Sequence, residues 1–384
     1  MTMKRPLSSM LAYTLATTAA IAVASATHEH HTASHHHHEP LGYGYRTRHN
    51  PGKLTPHTTN TNDIIVLADE HTLKDCYPLL GQQLRCITVP HGEGSKNLAS
   101  CTYIWEKLTD MGASRSTVLL CLGGGVLCDM GAYAGACYQR GIPVVLVPTS
   151  LLAMVDASTG GKTGVNFLHF KNYIGLFKKS EELFVCPEFL KSLPQSEMRN
   201  GHVEMLKHGL IADKEHYDQV KMLFLQPYEA LNPELISHSI AIKERHVEQD
   251  FKDVGIRKRL NFGHTIGHAI ESHSLFVNEE NESLSHGTSV GLGMVVESYI
   301  SHKVAGLSED QLHEITSVLK QLVTSIDEDI PPLDTLLPYL LKDKKNENQA
   351  ICFSLLKNIG ECEHNYEVDV HIIAEGLDFL RELK

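Results

Sequence analysis

The chain carries no CxxC pair, no excess of basic residues and, past residue 60, no run of about 18 apolar residues. Each absence removes a class of protein. The nine cysteines, at 76, 86, 101, 121, 128, 137, 186, 352 and 362, form no regular framework. Several lie inside apolar runs, so they read as reduced, buried thiols and not as disulfides. With 46 acidic against 34 basic side chains the net charge is −12. Phosphate-backbone binding needs a basic face, so nucleic acid is excluded as a partner. The missing apolar run argues against a spanning helix and against a membrane partner. What remains is a globular chain of 384 residues, 42% apolar, without internal repeats and long enough for two ordinary domains.

The pattern changes near residue 62. Before it, Lys4 and Arg5 precede an apolar run at 11–23 and the small residues Ala24-Ser25-Ala26, a layout like a secretory signal. A histidine-rich tract at 28–38 and a Gly/Pro/Thr/Asn stretch follow. Residues 1–61 are read as a disordered leader. From Asp63, apolar runs at 64–68, 84–89, 116–122 and 143–147 read as strands, and 97–111 has helical periodicity. This alternation predicts a parallel sheet flanked by helices. Later, 195–213, 229–251, 261–275, 284–305, 308–326 and 371–383 read as helices, with one late strand at 351–355. The expected fold is an α/β nucleotide-binding domain over 62–185 followed by an all-α, metal- and substrate-binding domain over 186–384.

The strand at 116–122 runs directly into Gly123-Gly124-Gly125 and then a helix. Glycines let backbone N–H groups approach a pyrophosphate, and the helix N-terminus adds a favourable field. The turn is not GxGxxG, so a plain Rossmann fingerprint is absent; a tight turn alone also calls for glycine. Asp129, four residues on, is either a cofactor contact or a helix-surface carboxylate. Thr149 and Ser150 follow Pro148 at the carboxyl end of a strand, where open α/β sheets place ligands. Their hydroxyls suit a cofactor or the capping of the next helix.

Glu204 and Lys207 stand three apart and share a helical face. Such a pair is usually a surface salt bridge, but Val203, Met205, Leu206 and Leu210 point to a buried helix. His264 and His268 are four apart on one face, without the intervening Glu of HExxH, and His286 follows in a loop. Glu204, His264 and His286 would make a three-ligand cation site with open positions. Lys162, Lys171, Lys207, Lys243 and Lys344, with Arg140 and Arg257, are candidates for gripping an anionic substrate. Asp156 and Asn172 add polar contacts.

The runs GEGSKN (92–97), GGGVLCDMGAYAGACYQRG (123–141), VPTSLLAMVDASTGGKTGVN (147–166), KNYIG (171–175), GHVEMLKHGLI (201–211), RKRLNFGHTIGHAIES (257–272), SHG (285–287) and DKKNEN (343–348) occur in order. In them the sequence resembles the dehydroquinate synthases of the sugar-phosphate cyclase superfamily, with late segments like the Bacteroidetes-type branch. The resemblance implies a zinc-type ion, zinc or cobalt, on Glu204, His264 and His286. It implies NAD on Asp69, Glu93, Lys96, Gly124, Gly125, Asp129, Thr149, Ser150, Lys162, Lys171, Phe189 and Ser192. It implies a heptulosonate phosphate held by Asp156, Lys162, Asn172, Lys207, Lys243, Arg257, Asn261, His268 and Lys344, with Arg140 serving a neighbouring subunit of a homodimer. The implied reaction forms 3-dehydroquinate and phosphate by transient oxidation, elimination, re-reduction and aldol closure, with His268 as an acid–base or hydroxyl-positioning group.

Departures from the family pattern are Ser150 for a threonine, Cys128 for a small residue, Thr288 where many members have Glu, and the leader standing in place of the first strands. The alternatives are a valiolone- or deoxy-inosose-type cyclase and a metal-dependent polyol dehydrogenase. Arg257 and Asn261 suit a substrate carboxylate that the alternative cyclases' substrates lack. NAD dependence and unpaired cysteines point to the cytoplasm, against the signal-like leader.

Overall fold

The computed structural model describes residues 45–48, 63–81, 83–168, 170–225, 231–278, 283–342 and 351–384. Two compact units, Met1–Pro194 and Gln195–Lys384, divide the chain.

The first unit holds β1 (Tyr45–Arg48), β2 (Ile64–Asp69), α1 (Glu70–Asp75), β3 (Arg85–Val89), α2 (Leu98–Asp110), β4 (Val118–Gly123), α3 (Gly125–Cys137), β5 (Val144–Pro148), β6 (Lys162–Phe167), β7 (Phe170–Phe177) and β8 (Glu182–Val185). Six of these strands form one sheet in the order β1-β8-β5-β4-β2-β3. β2, β4 and β5 are apolar along their length and wholly buried, as strands covered on both faces must be. The parallel strands end level, with Asp69 in register with Val89 and Gly123 with Pro148. Because β3 lies on one side of β2 and β4 on the other, the strand order reverses at Asp69 and Gly123, where open sheets bind ligands. β6 and β7 form a separate antiparallel hairpin that the sequence reading did not contain. Within the stretch set aside as leader, β1 pairs antiparallel with β8 and covers that edge of the sheet. The rest of the leader, with its signal-like run and histidine tract, lies outside the described residues.

The second unit holds α4 (Gln195–Ala212), α5 (Lys214–Val220), α6 (Met222–Leu225), α7 (Pro233–Gln249), α8 (His264–Val277), α9 (His286–Val304), α10 (Glu309–Thr324), α11 (Leu333–Lys342), β9 (Ile351–Asn358), β10 (Glu361–Val368) and α12 (Val370–Leu383). α9 is its axis, packed by α4, α8, α10, α12 and β9. The α8–α9 crossing is close: a Cβ on Gly293 would stand 2.0 Å from the Gly263 carbonyl oxygen. The late strand has an antiparallel partner in β10, so the helical unit carries one hairpin as well.

No helix among the described residues is long and apolar enough to cross a membrane. The cysteines are free thiols.

Candidate functional site

In the first unit most candidate residues collect at the carboxyl end of the sheet, but Arg140, between α3 and the start of β5, lies at the other end. Gly124 is the extended N-cap of α3, and no side chain caps this helix. Its first N–H groups are thus available to an anion. The Thr149 N–H donates to the Gly123 carbonyl at 2.9 Å, and a Cβ on Gly124 would meet the Ser150 hydroxyl at 3.5 Å, so both hydroxyl residues flank the glycine turn. The buried Lys96 ammonium donates to Asp129 at 2.7 Å and to Asn172 at 2.5 Å. Asn172 holds a left-handed φ of 52° on β7, and its N–H donates to the Asn166 side-chain oxygen. Asn166 in turn donates to Glu93 at 2.8 Å. One polar chain therefore joins the 92–97 turn, the β6–β7 hairpin and α3. Asp69 caps α1, accepting from the His71 and Thr72 N–H groups, and its other oxygen lies 3.2 Å from His91. Phe189 is buried and Ser192 is exposed at the end of a 3-10 segment. Asp156 is half-buried, while Lys162, Lys171 and Arg140 are exposed.

In the second unit three elements bring one carboxylate and two imidazoles together. α4 is buried along most of its length, which leaves Glu204 and Lys207 with 0% and 1% of their side chains exposed. Glu204 Oε1 lies 3.1 Å from His264 Nε2, at the start of α8, and 3.2 Å from His286 Nε2, at the start of α9. Donors on a tetrahedral ion with bonds of about 2.0–2.1 Å stand about 3.3 Å apart, so the trio fits one cation. The other ring nitrogens are also engaged. His264 Nδ1 lies 3.1 Å from the Phe262 carbonyl and His286 Nδ1 lies 3.5 Å from Glu271. These contacts set the tautomers that aim both Nε2 lone pairs at the same point.

The electrostatics agree. Burial pushes Glu204 up, but the Lys207 ammonium and His264 overcome it and hold the carboxyl well below its usual value. Burial and Lys207 hold His264 down. Burial also opposes charge on His286, yet Glu204 and Glu271 raise it to about 10. A proton is thus disfavoured on His264 and favoured on His286, beside the ionised Glu204.

His268 is exposed one turn beyond His264, its ring 5.1 Å from His264 and 5.8 Å from His286. Lys243 is buried on α7; Arg257 is buried and Asn261 half-buried on the 3-10 segment that leads into α8. α7 and this segment both pack on α4. Arg257 donates to the Phe251 carbonyl at 2.8 Å. Lys344 lies outside the described residues.

Sequence reasoning did not single out Asn166, Glu271 or Glu297. Glu297 is wholly buried within an apolar stretch of α9, and burial, opposed by backbone N–H donors from α8, pushes its carboxyl up to about 8. A charged residue amid MVVESYI was the available signal.

Residues 86–200 match the family described as 3-dehydroquinate synthase N-terminal, and 201–346 the one described as 3-dehydroquinate synthase C-terminal. A 3-dehydroquinate synthase of Parabacteroides distasonis is 40% identical over 326 residues, 83% of this chain and 91% of that protein. One from Pyrococcus furiosus is 40% identical over 293 residues, 76% of this chain and 83% of that protein. Among solved structures, a 2-epi-5-epi-valiolone synthase of Streptomyces hygroscopicus with NAD+ and Zn2+ bound superposes with a TM-score of 0.75 at 24% identity, covering 83% of this chain and 91% of that one. A probable glycerol dehydrogenase of Sinorhizobium meliloti gives 0.54 at 13% identity, covering 83% and 90%.

Proposed function

The chain belongs to the 3-dehydroquinate synthase family, and from that premise we propose that it converts 3-deoxy-D-arabino-heptulosonate 7-phosphate into 3-dehydroquinate and phosphate. It acts as a carbon–oxygen lyase with NAD and one divalent cation, zinc or cobalt. The first unit, with Gly124, Gly125, Thr149 and the Lys96–Asp129 pair, binds the dinucleotide. The second unit holds the cation on Glu204, His264 and His286.

NAD would supply a temporary hydride acceptor, and the cation would polarise a substrate oxygen. Lys207 keeps Glu204 ionised for the cation, while Phe262 and Glu271 orient the imidazoles. Arg257 and Asn261 take the C1 carboxylate, since a guanidinium and an amide match its geometry. Lys162, Asn172 and Lys243 hold the phosphate and hydroxyls. Held at both ends, the opened sugar stays folded for intramolecular aldol closure. His268, exposed beside the trio, passes a proton to or from a substrate hydroxyl. Arg140, exposed in a turn with φ 66°, serves the phosphate pocket of a second copy in a homodimer. The free thiols support a cytoplasmic setting.

The observation that carries this reading is the convergence of Glu204 Oε1, His264 Nε2 and His286 Nε2. Its test is phosphate release from the heptulosonate phosphate, with and without NAD and a chelator, alongside sedoheptulose 7-phosphate and glycerol. Turnover of the first substrate, dependent on NAD and abolished by chelation, with no net NADH, is the expected outcome. Preference for sedoheptulose 7-phosphate, or net NADH from glycerol, overturns the reading.

A further inference from the structure

The N-terminus of α8 is held in an unusual way. Helices are ordinarily capped by the side chain of their own N-cap residue, but here that residue is Gly263, at φ 78° and with no side chain to offer. Nor is there room for one, because a Cβ would stand 2.4 Å from Met294 of α9. The cap comes instead from Glu297 of the crossing helix. One carboxylate oxygen accepts the Gly263 N–H at 2.6 Å and the other the Ile266 N–H at 2.9 Å. The two donors bracket His264, the first residue of α8.

Glu297 stands eleven residues after His286 on α9 (297 − 286), almost whole turns at about 3.6 residues each, so both face the same way. Between them, α8 lies almost backbone to backbone on α9, with Gly267 at Ser289 and Val290 and Gly263 at Gly293. α9 therefore touches the cation site twice: it presents His286 directly, and it grips the turn from which His264 projects.

We propose that Glu297 is a positioning residue for the cation site, fixing the α8 N-terminus so that His264 Nε2 meets His286 Nε2 and Glu204 at ligand spacing. The inference rests on the reading that Glu204, His264 and His286 hold a cation. It assigns the buried carboxylate a task beyond helix capping. Because Glu297 touches backbone and not ligand, it acts through the direction of the His264 side chain.

The test is Glu297→Gln in the full chain, stripped by a chelator and saturated with NAD. Glutamine keeps the shape and one carbonyl acceptor, but turns an NH2 group toward one of the two N–H donors. The readouts are zinc affinity, by competition with a chromophoric chelator, and the visible spectrum of the cobalt-loaded protein. Zinc binding is expected to weaken about 10- to 100-fold, the usual effect of losing a partner outside the ligand shell. The cobalt bands should shift while NAD affinity stays unchanged. Glu297→Asp, which keeps the carboxyl but withdraws it by one methylene, should fall between wild type and Glu297→Gln, and it carries the test if the glutamine variant does not fold. A folded variant with wild-type zinc affinity and cobalt spectrum overturns the proposal, whatever its melting temperature. A wild-type chain that binds no zinc overturns the preceding reading, and this inference with it.

Discussion

Glu204 and Lys207 occupy one face of α4 with almost no exposure, so neither charge has water to fall back on. Removing one partner of such a pair leaves a buried, uncompensated charge, at a cost of about 3–5 kcal/mol. Lys207→Met is therefore expected to lower the stability of the metal-free protein by about that amount in urea unfolding. Saturating zinc should restore more stability in the variant than it adds to wild type, because the cation takes over the role of the ammonium. Equal increments in both proteins would contradict this pairing. At this scale the sequence was informative where spacing did the work: three residues put Glu204 and Lys207 on one helical face, and four did the same for His264 and His268. Glu271 and Glu297 gave no comparable signal. Their tasks depend on which helix crosses α8 and at what distance, and that is a property of packing. Asn166 was hidden likewise, since its partners Glu93 and Asn172 come from two other segments.

The elements follow from hydrophobic pattern wherever both faces are buried. β2, β4 and β5 were legible as unbroken apolar runs, and α10 and α12 as periodic ones with one buried face, while α4 and α9 are buried nearly all round. β7 is exposed along nearly its whole length and lacks the alternation that marks a half-buried strand, whereas β10, ECEHNYEV, does alternate, with Cys362, His364, Tyr366 and Val368 on one side, and the sequence reading passed over it. β1, with the sequence YRTR, pairs with β8 through its backbone, which no side-chain pattern announces. His264 and His286 begin the two helices of the α8–α9 crossing. In Gly293→Ala the new methyl would meet the Gly263 carbonyl at 2.0 Å, so the helices must move apart. Such overpacking typically costs about 1–3 kcal/mol. The expected result is a lowered urea midpoint together with weakened zinc binding. Unchanged zinc affinity in a destabilised protein would show that ligand spacing does not depend on this contact.

At the scale of the whole molecule, buried imidazoles other than His264 and His286 are expected to make the fold acid-sensitive. Burial, reinforced by the Arg199 guanidinium, lowers His202 from 6.5 to about 4, and burial with His208 and His238 lowers His216 from 6.5 to about 3. A histidine held below its unfolded value binds fewer protons folded than unfolded, so stability is full above 6.5 and declines as pH falls toward those lower values. His216 is fully buried, and its ring nitrogens find no hydrogen-bond partner among the described residues. His216→Leu should therefore remove its share without breaking a bond. Each pH unit is worth about 1.4 kcal/mol, so between pH 8 and pH 5 the stability difference should move by about 2 kcal/mol in favour of the variant. Parallel stability–pH curves for the two proteins would contradict this.

A carboxylate of α4 converges with the first imidazoles of α8 and α9. Elemental analysis of the purified chain beside its Glu204→Gln and His264→Ala forms tests this convergence most directly. One zinc-type ion per wild-type chain, lost from both variants while they remain folded, is the predicted result. A wild-type chain without the ion, or variants that retain it in full, would contradict it.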